Sequence, residues 1–148
     1  MKYEERIQDL FAVSEDYYLA HCISADFALG KGIAVEFNKR FDMRAILKAN
    51  NPDYLKNWRS MKDEADCILE GRVFNLVTKE RYYNKPTYNS MRWSLEIMRN
   101  FCEADNIKKI AMPVIGCGLD RLEWSKVSEI IKETFSELDI EILVCKQG

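Results

Sequence analysis

The chain contains a single histidine among its 148 residues, and none of its five cysteines is separated from another by two residues. Because zinc sites need clustered Cys and His side chains, the composition argues against one, and we predict neither a metal nor a cofactor. No run of 18 or more apolar residues occurs, which argues against a membrane-spanning helix. The 22 lysines and arginines are scattered along the chain, so nonspecific binding to a nucleic acid backbone is not expected.

Two common nucleotide-binding motifs are also missing. The sequence has neither the eight-residue pattern that ends in Gly-Lys-Ser/Thr nor Gly-x-Gly-x-x-Gly, which argues against the usual nucleoside triphosphatases and dinucleotide-binding enzymes. Apolar residues make up 47% and charged residues 31% of the chain, as in a soluble globular domain, and the first residues form no apolar signal region. We therefore expect residues 1–148 to form one domain, a monomer with free thiols in the reducing cytoplasm.

Four of the six glycines lie in two turns, ALGKGIA at residues 28–34 and IGCGLD at residues 115–120. Each turn runs from a strand-like stretch toward a helix-like one. Glycines at such turns let main-chain N–H groups approach an anion closely, and the helix N-terminus adds a positive partial charge. Two such turns predict a diphosphate ligand. Asp120 in the second turn and Lys79, which follows the strand-like run 73–78, indicate chemistry beside a bound nucleotide.

Hydrophobic periodicity predicts an α/β domain. Alternating or β-branched runs predict strands at 3–7, 17–23, 67–69, 72–78, 109–114 and 140–145, and apolar residues at helical spacing predict helices at 32–41, 44–49, 87–104 and 124–138. The segment 50–66 has no clean period and is expected to contain a helical turn and a connection. Ligands of largely parallel sheets bind at the carboxyl ends of the strands, where both glycine turns and Lys79 are expected to converge.

Several segments together resemble the terminal ADP-ribose glycohydrolase branch of the macrodomains. They are LAHCIS at 19–24, GKGIA at 30–34, TK at 78–79 with KPTY at 85–88, and PVIGCGLDRLEW at 113–124. The similarity runs in order from about residue 9 to residue 144. It implies a three-layer α/β/α fold around a mixed, largely parallel six-stranded sheet, with ADP-ribose as the ligand.

The resemblance also implies a set of site residues. Asp9 is expected to accept a hydrogen bond from the adenine amino group, and Leu10 to present its backbone nearby. The residues expected to line the diphosphate and the distal ribose are Ser24, Gly30, Gly32, Ile33 and Ala34 on one side, and Val114, Ile115, Gly116, Cys117, Gly118 and Leu119 on the other. Lys79 and Asp120 match the two catalytic positions of this branch, which favours an enzyme.

The chemistry of such a pair follows from the two side chains. A lysine amine becomes a nucleophile once it has lost its proton, and a neighbouring carboxylate can accept that proton and stabilise positive charge at an anomeric carbon. Our hypothesis is that Lys79 attacks the distal ribose and that Asp120 moves protons. His21 lies in an apolar run and is predicted to be a hydrogen-bonded core residue, whereas Cys117 is predicted to be a small residue that fills its turn.

Three functions remain open from the sequence. The leading one is a hydrolase that removes ester-linked ADP-ribose from glutamate or aspartate side chains and also deacylates O-acyl-ADP-ribose. The others are removal of ADP-ribose from a DNA base and binding of ADP-ribose without turnover. The partners expected are ADP-ribose, ADP-ribosylated proteins and, in the second case, ADP-ribosylated nucleic acid. The chain departs from the family at two positions. Gln8 stands where the family usually has glycine, and Cys145 stands where related proteins place an aromatic side chain near the adenine.

Overall fold

The computed structural model describes residues 1–118 and 120–148. Leu119, which the sequence predicts to line the ligand, lies outside the described residues. All six strands of the described chain belong to one sheet. Their bounds are β1 Lys2–Ile7, β2 Tyr18–Ser24, β3 Asp66–Glu70, β4 Val73–Lys79, β5 Lys109–Met112 and β6 Glu141–Lys146.

The strand order is β1-β6-β5-β2-β4-β3. The first four pairings in this order are parallel, and β3 pairs with β4 in the antiparallel sense. The predicted mixed, largely parallel six-stranded sheet is therefore confirmed. Since β1, β6, β5, β2 and β4 all point the same way, their carboxyl ends meet at one edge of the sheet.

In the described part of the chain, four helices cover the two faces of this sheet. They are α1 Ile33–Phe41, α2 Met43–Asn50, α3 Tyr88–Asp105 and α4 Trp124–Phe135. Phe37 of α1 and Leu47 of α2 pack into one core with inward residues of β2 and β4, whereas Met91 of α3 and Val127 of α4 pack into a second core on the opposite face. Because the sheet separates two apolar cores, the fold has the three predicted layers.

Local sequence explains where the elements begin and end. Thr87 precedes α3 and accepts a hydrogen bond from the amide of Ser90, whose hydroxyl in turn accepts one from the amide of Thr87. β5 ends at Met112, two residues earlier than predicted, because Pro113 has no N–H to continue the ladder. In segment 50–66, where the sequence predicts a helical turn, the amide of Asn57 donates to the carbonyl of Asp53 at 3.0 Å, which makes one such turn.

Within the described part of the chain, no helix is both long and apolar enough to cross a membrane. All five cysteines are free. His21 is fully buried, and its Nε2 lies 2.6 Å from Oδ1 of Asn75 while its ring stacks on Phe37. The structure therefore agrees with the prediction that His21 is a hydrogen-bonded core residue.

Candidate active site

The carboxyl edge of the sheet brings Ser24 and Lys79 side by side. Ser24 ends β2 and pairs with Lys79 at the end of β4, although Ile23 pairs with Val77. One residue of β4, Thr78, is therefore left out of the pairing, which is a β-bulge immediately before Lys79. Bulges change the direction in which the following side chains point and are common beside active sites.

The first glycine loop, residues 25–32, leaves this edge and leads into α1. Its backbone is left-handed at Phe27 (φ 53°), Leu29 (φ 44°) and Gly32 (φ 62°). The two apolar side chains are buried, whereas Gly30 and Gly32 are exposed. Among the described residues, no side chain caps the start of α1, so the amides of Ile33 and Ala34 are available to an anion at the helix N-terminus.

Asp26 holds the first glycine loop, and its role was missed in the sequence. Oδ1 of Asp26 accepts hydrogen bonds from the hydroxyl of Ser24 at 2.5 Å and from the amide of Ala28 at 3.2 Å. Its Oδ2 accepts one from the amide of Tyr82 at 2.9 Å. The signal that could have found it is local, because an aspartate just after a strand commonly bonds the amide two residues on.

The second glycine loop, residues 113–123, follows β5 and leads into α4. Gly116 is left-handed (φ 74°), and a Cβ there would lie 2.7 Å from Cε of Met91 in α3. The carbonyl of Gly116 accepts a hydrogen bond from the amide of Leu122 at 2.7 Å, and that of Gly118 accepts one from Arg121 at 3.3 Å. Close packing on α3 and these turns of the backbone therefore shape the second loop.

Lys79 and Asp120 meet between the two loops. Nζ of Lys79 donates to Oδ1 of Asp120 at 2.6 Å, and the two side chains are only 14% and 16% exposed. The carbonyl of Lys79 also accepts a hydrogen bond from the amide of Ala25 at 2.9 Å, which ties the lysine to the first loop. An amine and a carboxylate that are largely buried and in direct contact can exchange a proton.

Two thiols lie near this pair, but the surroundings of each disfavour the thiolate form. Burial is the main cause that raises the pKa of Cys22, and the negative charge of Asp120 raises it further. Burial and Asp120, in that order, also raise the pKa of Cys117, whose Sγ donates to the carbonyl of Ile115 at 3.2 Å. Both thiols remain protonated near neutral pH, and only a thiolate is strongly nucleophilic.

The residues predicted to hold the adenine lie at the end of β1, on the same edge of the sheet. Asp9 is exposed and its Oδ1 accepts from the amide of Phe11 at 3.0 Å, which caps a short 3₁₀ turn at Leu10–Ala12. Leu10 is buried. Cys145 near the end of β6 is buried, and burial raises the pKa of its thiol, with a smaller contribution from Asp9.

The structure thus places every described candidate residue on or beside the carboxyl edge of the sheet. Val114, Ile115 and Cys117 are half-buried or buried in the second loop, and Gly118 is exposed there. Among residues 1–118 and 120–148, no group of three or more His, Cys, Asp or Glu side chains is arranged to hold a metal ion.

Solved structures define the class of fold. The macrodomain of Mycobacterium tuberculosis DarG superposes with a TM-score of 0.80 at 19% sequence identity, over 99% of this chain and 97% of that chain. Thermosipho africanus DarTG in complex with ADP-ribose gives a TM-score of 0.67 at 19% identity, over 89% of this chain and 38% of that chain. The chain therefore has the macrodomain fold.

Relatives in sequence identify the branch of the macrodomains to which the chain belongs. The chain is 42% identical over 137 residues to the ADP-ribose glycohydrolase OARD1 of Bos taurus and 41% identical over 137 residues to that of Homo sapiens. Each comparison covers 92% of this chain and 86% of the relative. A scan against models of protein families finds no match. The chain belongs to the macrodomain family of ADP-ribose glycohydrolases related to OARD1.

Proposed function

We propose that the protein is an ADP-ribosyl hydrolase that releases ester-linked ADP-ribose from glutamate and aspartate side chains, with Lys79 as nucleophile and Asp120 as proton acceptor. The observation that carries the proposal is the 2.6 Å contact between Nζ of Lys79 and Oδ1 of Asp120, set between two glycine loops. The relatives named ADP-ribose glycohydrolase support the reaction class. Main-chain amides at the start of α1 support binding of a diphosphate.

The proposed reaction proceeds in two displacements. Nζ of Lys79 attacks the anomeric carbon of the distal ribose, the bond from that carbon to the ester oxygen breaks, and the acidic side chain leaves as a carboxylate. Asp120 accepts the proton that Lys79 loses. After Asp120 has released its proton to solvent, it takes a proton from a water that adds to the same carbon and passes it to the departing Lys79 amine, and ADP-ribose is released. A carboxylate is a good leaving group, which favours ester over amide linkages.

The same site is proposed to deacylate O-acyl-ADP-ribose that carries its acyl group on the anomeric oxygen of the distal ribose, because Lys79 then attacks the same carbon, the acyl group leaves as a carboxylate, and water releases ADP-ribose. The five free thiols support a reducing compartment such as the cytoplasm as the place of action. We expect ADP-ribosylated proteins to be the macromolecular partners and the protein to work as a monomer.

A second candidate substrate is ADP-ribosylated DNA. Tyr82 and Tyr83 follow Lys79 closely, are 59% and 66% exposed, and form an edge-to-face pair with centroids 5.2 Å apart. Arg81 and Lys85 flank them in the sequence. Exposed aromatic rings beside cationic side chains are the surface on which unpaired bases stack, so this loop favours a base as the alternative acceptor.

The test compares the wild type with Lys79→Ala and Asp120→Ala. Each protein is incubated with glutamate-ADP-ribosylated protein, ADP-ribosylated DNA and O-acetyl-ADP-ribose, and free ADP-ribose is measured. We expect release by the wild type alone and a covalent lysine adduct in Asp120→Ala, seen by intact-protein mass spectrometry. Binding of ADP-ribose without release from any substrate would identify a reader and contradict the proposal.

A further inference from the structure

We infer that Asp26 is a positioning residue, whose carboxylate sets the distance between the first glycine loop and Lys79. The inference rests on the proposed function, because it concerns the geometry of that same reaction. Among the described residues, the Asp26 side chain makes no hydrogen bond to Lys79. Its carboxylate acts on Lys79 through the two loops that it joins.

The two carboxylate oxygens face two different loops. Oδ1 accepts from the Ser24 hydroxyl at the end of β2 and from the Ala28 amide in the first glycine loop. Oδ2 accepts from the Tyr82 amide, which belongs to the loop that follows β4. Hydrogen bonds to an ionised carboxylate are stronger than those between neutral groups. One side chain therefore connects the proposed diphosphate loop to the loop that directly follows the proposed nucleophile.

The carboxylate continues a contact that the main chain begins. The amide of Ala25 donates to the carbonyl of Lys79 at 2.9 Å, and the amide of Asp26 donates to that of Glu80 at 3.2 Å. These bonds extend the pairing of β2 with β4 past the strand ends. At Tyr82 the bond to the first loop is made by the Asp26 side chain.

The first loop needs this support because its backbone is strained. Phe27 and Leu29 are both left-handed although neither is glycine. Such conformations persist where the surrounding structure over-determines them. The bond from the Ala28 amide to Asp26 lies between the two strained residues, so it restrains the backbone between them.

The consequence concerns turnover more than affinity. The phosphates would lie on the first loop while the anomeric carbon faces Lys79, so the spacing between these two elements places the carbon for attack. A misplacement of about 1 Å costs roughly 100-fold in rate. Loss of the connection should therefore lower kcat, whereas the affinity for free ADP-ribose, which needs no attack, should change little.

Asp26→Asn tests the connection with almost no change in shape. In either orientation of the new amide, its NH₂ group faces a main-chain N–H, that of Ala28 or that of Tyr82, so one loop loses its bond. With O-acetyl-ADP-ribose and glutamate-ADP-ribosylated protein, we expect kcat to fall about 10- to 100-fold. The Kd for ADP-ribose, measured by calorimetry, should change less than about threefold, a factor that corresponds to under 1 kcal/mol.

A second variant removes the donor instead of the acceptor. Tyr82 is the second residue of a turn closed by the bond from the Asn84 amide to the Arg81 carbonyl at 3.0 Å, a position that favours proline. Tyr82→Pro deletes the N–H, and Tyr82→Ala is its matched reference because it loses the same ring but keeps the N–H. We expect kcat of Tyr82→Pro to fall below that of Tyr82→Ala, and the difference to vanish when both are placed on Asp26→Ala, which removes both carboxylate oxygens.

Other outcomes would overturn the inference. If kcat is unchanged in Asp26→Asn, or if it falls only in proportion to lost ADP-ribose affinity or lost thermal stability, Asp26 has a structural role alone. Should Asp26→Asn fail to fold, the comparison of Tyr82→Pro with Tyr82→Ala decides, and equal kcat values there sink the inference. A wild type that releases no ADP-ribose sinks the proposed function as well, which separates the two failures.

Discussion

The two glycine loops reach the same site by different physical means. The first is held to the end of β2 and to the loop after β4 through the Asp26 carboxylate, and it contains the left-handed residues Phe27 and Leu29. The second is held to α3 by close packing, since Gly116 lies against Met91. In the first loop glycine allows a positive φ, whereas in the second it allows both a positive φ and close packing against a neighbouring side chain. Similar short motifs can therefore depend on different neighbours, and substitutions should affect the two loops unequally.

The largest effect is expected where the loops meet. Lys79→Ala removes the amine that pairs with Asp120 of the second loop, and we expect hydrolysis to fall by roughly 1,000-fold or more because no other nucleophile replaces it. Binding of ADP-ribose should persist, because the main-chain amides of both loops remain. Turnover assays and calorimetry on the same preparation measure the two quantities, and turnover near the wild-type rate would contradict the assignment.

Acid should lower the free energy of unfolding of the protein through its buried histidine, His21. Burial lowers the pKa of His21 to about 4, whereas its ordinary value is about 6.5. Between these values the unfolded chain binds a proton that the folded chain does not, so stability falls as the pH falls, by about 3 kcal/mol over the window. His21 stacks on Phe37 of α1, the helix that begins at Gly32.

This prediction is checked by urea unfolding at several pH values from 7 to 4.5, with His21→Gln as the control. His21 is the single histidine, and carboxylates with lowered pKa, such as Glu141, contribute mainly below this range. The wild type should lose stability across the range while the variant remains nearly flat. Equal slopes for the two proteins would show that His21 is not the group responsible.

Gly116→Ala tests the packing of the second loop. The new Cβ would lie 2.7 Å from Cε of buried Met91, and φ is 74°, so we expect a loss of about 2 kcal/mol from overpacking and backbone strain together. Gly118→Ala is the matched control, because no atom lies within 4 Å of its Cβ position. Thermal unfolding measures both, and equal midpoints would contradict the packing argument.

Gly32→Ala tests the first loop, where backbone strain without any clash is expected. Its Cβ would meet nothing within 4 Å, but φ is 62° and ψ is −148°, a conformation nearly confined to glycine, so backbone strain of about 1 to 3 kcal/mol opposes the substitution. Gly30→Ala, whose nearest contact would be 3.8 Å away without a positive φ, should unfold at the wild-type temperature. If Gly32→Ala and Gly30→Ala unfold at the same temperature, the conformational role assigned to Gly32 is wrong.

Much of the fold was predictable because it depends on local periodicity. The apolar face of α3, with Met91, Leu95 and Met98 at helical spacing, and the alternation in β4 are visible in the sequence and are the faces that the cores bury. The ends of β5 and α4 differed from prediction by two to three residues. Pro113 accounts for the first of these differences, since it cannot continue the ladder.

The site was less predictable, because its key contacts join residues that are far apart in the chain. The motif around residues 113–124 indicated Asp120, and the pattern after 73–78 indicated Lys79, but the contact between them spans 41 positions. The bond from Tyr82 to Asp26 spans 56. No local pattern encodes such pairs; for Asp26 only the bond from the Ala28 amide, two residues on, has a local signal.

The sequence by itself determined the alternation of strands and helices, the two glycine turns, the residue types available for chemistry and, through its motifs, the family. Tertiary structure alone decided that β2 lies between β5 and β4, that a bulge precedes Lys79, and that the amine meets the carboxylate. The physical reason is range. Local propensity acts over a few residues, whereas strand order and register are set by the burial of both faces of the whole sheet.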